Sequence, residues 1–200
     1  MKKGVLKMKI VKKYKCDFES YGVTEENGYV KWYFWDKVKV PSRVMGTVLI
    51  LLLFVFTKIF SDKLFAYGKA VTLIASLAAL ATLIIVVVPI HEFLHLLVMA
   101  KGKLDDKCVL TAGGGAVSAV YEGHVSRNRQ LVCFAAPFLF FAVIISLAII
   151  ISSGAVRIYF VYLLIMSCIS SYTDIFMIFY TLKNVKKNEL IFGIYKKELL

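Results

Sequence analysis

The chain has 200 residues, 60% of them hydrophobic, with a mean hydropathy of +0.75 and a formal net charge of +12. Soluble domains are usually about 45–50% apolar, so composition excludes an ordinary soluble protein and indicates an integral membrane protein of one domain. In such a chain Lys and Arg set topology and lie near anionic lipid, so the charge is not read as nucleic-acid binding.

In chain order, residues 1–15 (MKKGVLKMKIVKKYK) mix Lys with Val, Leu, Met and Ile, and residues 29–40 (YVKWYFWDKVKV) are dense in aromatics. Both are expected at the membrane interface, through lysine contacts to lipid and an aromatic belt. No compact apolar run with a small-residue cleavage site follows the basic start, so no cleaved signal is expected.

A spanning helix needs about 20 mostly apolar residues. Four segments qualify: Val44–Phe60, Ala70–Ile90 with a continuation to Ala100, Leu131–Val156, and Ile158–Leu182, which holds one charge, Asp174. Between the second and third lies VLTAGGGAVSAVYEGHV, whose glycines and β-forming residues predict a turn leading into a short strand at about 116–121. The expected fold class is therefore an all-α integral membrane protein with four transmembrane helices and one short β-like element in the loop between helices 2 and 3. The expected parts are an N-terminal cytoplasmic or interfacial segment 1–43, a membrane domain 44–182 and a basic tail 183–200.

Residues 1–43 carry 11 Lys and Arg, the loop 101–130 carries 5 and the tail 181–200 another 5. The two remaining loops carry only Lys63, Lys69 and Arg157. The positive-inside rule puts both termini and the long loop in the cytoplasm of a multi-pass cell-membrane protein. Cys16, Cys108, Cys133 and Cys168 form no C-x-x-C pair and read as free thiols.

The second apolar segment ends in VVVPIHEFLHLLVMAKGK, residues 86–103. Ionisable groups inside a membrane are costly and mark function. His91 and His95 stand four apart, so on a helix they share a face and can share one ion. Glu92 lies about 100° round from His91, within reach of a water on that ion. This is H-E-x-x-H: two imidazole ligands and a general base, the pattern of zinc (Zn2+) hydrolases. Catalytic zinc takes three protein ligands and keeps one position open. The extension H-E-x-x-H-x-x-G-x-x-H is absent, because Val98 and Lys101 hold the Gly and His positions. Candidates for the third ligand are Asp105, Asp106, Glu122, His124 and Asp174. Counted from Lys101 at about 1.5 Å per residue, His95 lies about 9 Å and His91 about 15 Å into the membrane; counted from Lys183, Asp174 lies about 13 Å in. Equal depth favours Asp174. Ser170, Ser171 and His124 are the candidates to stabilise an oxyanion.

HEFLH in one span with SSYTD in a later one resembles the site-2 protease clan of intramembrane zinc proteases. More narrowly, the chain resembles small bacterial membrane proteins described as putative zincin peptidases. The resemblance covers about residues 70–182, and AAPF around Pro137 is similar to a proline-bearing stretch of the clan's intervening span. The clan's distant membrane Asp maps onto Asp174, although CISSYTDI replaces the usual Asn-Pro…Leu-Asp-Gly context. The resemblance implies a membrane zinc metallopeptidase with His91, His95 and Asp174 as ligands and Glu92 as base. Its partners would be the lipid bilayer and a membrane-associated protein or peptide substrate, an extended segment of which could pair with the strand at 116–121. A transporter, or a catalytically silent substrate-binding relative, is the alternative use of the same cluster. A transporter would more often show duplicated halves, and none are visible.

Overall fold

A computed structural model of the chain describes residues 8–12, 16–33, 43–44, 46–48, 51, 55, 67–113 and 116–198. The expected first span, Val44–Phe60, lies largely outside the described residues. The described elements, in order, are β1 (Lys9–Val11), β2 (Val30–Lys31), helix α1 (Lys69–Met99), β3 (Cys108–Gly113), β4 (Ala116–Tyr121), β5 (Val125–Ser126), α2 (Arg127–Ile151), α3 (Gly154–Asn184), β6 (Glu189–Phe192) and β7 (Tyr195–Glu198). They fall into two compact units, one of residues 1–35, 90–136 and 177–200, the other of 36–89 and 137–176.

The first unit overturns the all-α expectation. It holds a three-stranded sheet in the order β1-β3-β4 and a four-stranded sheet in the order β2-β7-β6-β5. The fold is mixed α/β. The one expected strand is present as β4, paired antiparallel with β3 from Cys108↔Tyr121 to Gly113↔Ala116. The N-terminal segment contributes an edge to each sheet: β1 runs parallel to β3 with Lys9 opposite Val109, and β2 pairs with β7. β6 and β7 form a hairpin closed by Gly193 and Ile194, with Gly193 at φ 55°, a conformation glycine takes without a Cβ clash. These strands are two to six residues long and several are lysine-rich, so no local periodicity announces them.

Tyr29 and Trp32, expected in an aromatic belt, are core residues instead. Trp32 packs with Val185 and Ile191 and donates its indole N–H to the Gly193 carbonyl at 3.2 Å. Tyr29 packs with Val23 and Phe192. A third cluster joins Leu96 and Ala100 at the end of α1 to Cys108 of β3. That end is sharply made. Lys101 takes φ 55°, and the Gly102 and Lys101 N–H groups return to the Leu97 and Val98 carbonyls, a Schellman stop.

In the second unit, α1 and α3 pack together. The buried face of α1 is small (Thr72, Ala75, Ala79), and that of α3 includes Tyr162, Leu163 and Ser167. Tyr159 donates its hydroxyl to Thr82 at 2.9 Å. The large residues of α1, among them Leu73, Ile74, Leu77, Ile84 and Ile85, face outward. Small residues inside and large apolar ones outside is the arrangement of helices packed in lipid. α1, α2 and α3 are each long and apolar enough to span a membrane. Two features interrupt them. A π-helical turn, Leu83–Val87, precedes Pro89, whose ring crowds the carbonyl four residues back. α3 breaks at Ser171, where the Ser170 and Ser171 hydroxyls both bond the Ser167 carbonyl.

Candidate metal centre

The first unit brings His91, Glu92 and His95 together: one donor atom from each lies within 4.8 Å of the others. Both imidazoles are buried, and their Nε2 atoms face each other at 3.1 Å. Two nitrogens on one tetrahedral zinc with bonds of 2.0–2.1 Å stand about 3.3 Å apart. The pair is thus spaced for one shared ion, and the donor set, two imidazoles with a carboxylate beside them, suits zinc.

The surroundings set the roles of the atoms. His95 Nδ1 lies 2.9 Å from the Cys133 carbonyl on α2, and an acceptor there requires a proton on Nδ1. Nε2 then carries the bare lone pair a metal needs. Cys133 Sγ lies 3.3 Å from the same nitrogen, and the Phe134 ring stands edge-on to the imidazole. Glu92 Oε2 accepts the Ala119 backbone N–H of β4 at 2.8 Å. Sequence reasoning missed both backbone partners. Only the Cys133 carbonyl had a sequence signal, a proline at 137, four residues beyond Cys133.

The loop candidates are engaged elsewhere in the unit. Glu122 is 7% exposed; it accepts the Lys9 ammonium at 3.2 Å and the Tyr21 hydroxyl at 2.9 Å. That bond pushes the Tyr21 phenol up to about 12. His124 Nε2 sits 2.6 Å from the Tyr29 hydroxyl. Burial, then Lys107 and Lys197, hold the His124 pKa below its usual value. Asp105 caps the turn into β3, accepting the Lys107 N–H at 3.1 Å, and Asp106 is exposed in that turn. The Ser170 and Ser171 hydroxyls are directed to the Ser167 carbonyl. Asp174 belongs to the second unit, at 7% exposure, in the first turn after the Ser171 break.

A family model described as "Putative zincin peptidase" matches residues 84–190, more than half of the chain. The chain belongs to the putative zincin peptidase family. The matched span of this family holds His91, Glu92, His95 and Asp174; β1, β2 and β7 lie outside it. No curated protein and no solved structure matches the chain.

Proposed function

We propose that this zincin-family chain is a membrane-embedded zinc metallopeptidase of site-2 protease type, cutting peptide bonds of membrane or membrane-proximal proteins. The observation that carries it is the facing imidazole pair with Glu92 beside it, set in a helix of 31 residues apolar enough to span a membrane. His91 and His95 would hold the zinc, with Asp174 as third ligand on the equal-depth argument and on the cost of a carboxylate in an apolar segment. Bound zinc supplies a Lewis acid and lowers the pKa of a water to about 7. Glu92 takes the proton of the attacking water and returns it to the leaving amine. Cys133 keeps the His95 ring in one tautomer. β4 has β3 on one side, and Glu92 holds its Ala119 N–H, so a substrate strand laid along β4 would pass beside the base.

Both ends of the chain share one side in this reading. β1 and β2 pair with strands from the loop after α1 and from the C-terminal hairpin, and the Lys and Arg excess makes that side cytoplasmic.

The test is direct. The purified protein should contain about one zinc per chain and cleave peptides in a reaction abolished by a chelator and restored by zinc. A metal-free preparation that does not take up zinc, or cleavage indifferent to the chelator, overturns the reading.

A further inference from the structure

We propose that Pro137 is a positioning residue for His95, acting through the backbone carbonyl of Cys133; the proposal rests on His95 being a zinc ligand. In an α-helix the N–H of residue 137 would bond the carbonyl of residue 133. Proline has no N–H to give. α2 nevertheless continues as α-helix from Arg127 to Ile151 with Pro137 inside it. The Cys133 carbonyl, in a fully buried residue, therefore needs a donor from elsewhere, because a carbonyl without one in an apolar interior is costly. The donor is His95 Nδ1, at 2.9 Å.

Pro89 shows the alternative. Its missing N–H falls on the carbonyl of Ile85, and there the helix itself adjusts. Residues Leu83–Val87 form a π-turn, and the Val88 N–H closes on the Leu83 carbonyl. At Pro137 no such turn forms, and an imidazole takes the place of the missing donor. The consequence lies at the metal end of the ring. With Nδ1 protonated and its angle fixed by the carbonyl, Nε2 is left bare and aimed at His91 Nε2, 3.1 Å away. Partners of this kind fix tautomer and ring orientation, and losing one typically lowers metal affinity about 10–100-fold.

Pro137→Ala supplies the absent N–H, which competes with His95 for the Cys133 carbonyl. Two measurements test it on the full-length protein. Zinc affinity is read by competition with a chelator of known affinity, and the His95 tautomer by histidine-selective 15N spectra of the metal-free protein. The unmutated protein should show His95 protonated at Nδ1; the variant should shift toward the Nε2-protonated form and bind zinc about 10–100-fold more weakly. Unchanged zinc affinity in a folded variant with His95 still protonated at Nδ1 overturns the proposal. Should Pro137→Ala not fold, the unmutated protein decides alone: His95 protonated at Nε2 overturns the role, and protonation at Nδ1 upholds it. Failure to bind zinc at all by the unmutated protein would remove the metal reading and with it the proposal, while the tautomer spectrum would show separately whether the Cys133 contact exists.

Discussion

Glu92→Gln separates the chemistry of the base from its place in the fold. Glu92 accepts the Ala119 N–H at 2.8 Å, so it both holds β4 and stands ready for a proton. A glutamine can keep the first role, since its amide oxygen accepts the same bond, but it cannot take a proton at neutral pH. Loss of a positioned general base lowers rate by about 10²–10⁴-fold, equivalent to about 2.7–5.4 kcal/mol of barrier. Replacing a charged acceptor with a neutral one weakens the Ala119 bond by about 1 kcal/mol. Glu92→Ala leaves that N–H without this acceptor and should lower stability by about 1–3 kcal/mol. The two variants should therefore be alike in activity and different in stability, with zinc content near that of the unmutated protein in both. The assay is peptide cleavage in detergent, with zinc per chain and thermal unfolding measured on the same preparations. A fully active Glu92→Gln refutes the mechanism, and a stable Glu92→Gln that has lost its zinc makes Glu92 a ligand.

Asp174→Ala should lower both zinc content and activity, whereas Asp105→Ala, Asp106→Ala and His124→Ala keep their zinc; metal analysis of the four variants checks the third-ligand assignment. Leu96→Ala empties a fully buried position between α1 and β3 and should lower stability by about 2–5 kcal/mol, read from unfolding midpoints. Tyr21→Phe removes the bond to Glu122. The Tyr21 pKa is raised above its unfolded value of 10.0 to about 12, so its contribution is fully present below pH 10 and is lost as pH rises through about 12. Two pH units convert to about 2.7 kcal/mol, but the residue is 41% exposed and water screens the pair, so about 1 kcal/mol is expected, and the gap between the two proteins should narrow from pH 8 to pH 11. Reporter fusions after residue 154 should read outside and those at residue 200 inside, and a reversed result would remove the topology on which the depth of Asp174 rests.

The apolar helices and the motif were legible because both are local. α1 runs Lys69–Met99 against an expected 70–100, and α2 and α3 begin a few residues before the expected Leu131 and Ile158. Five residues of helix suffice to put His91 and His95 on one face, whatever the rest of the chain does. Apart from β4, the sheets were not legible. Lys9-Ile10-Val11 becomes a strand only because Val109, Leu110 and Thr111 lie alongside it, 100 residues away, and Tyr195–Glu198 reads as a basic tail until Glu189–Phe192 pairs with it. Short strands draw their stability from partners distant in sequence, and lysines at their edges hide the alternation. The same division runs through the site. Residue type and spacing alone already marked His91, Glu92 and His95 as a group able to hold a metal. That the Cys133 carbonyl accepts the His95 Nδ1–H, and that the Ala119 N–H meets Glu92, came only from the folded arrangement, because backbone groups are alike in nearly every residue and position selects which of them a side chain meets.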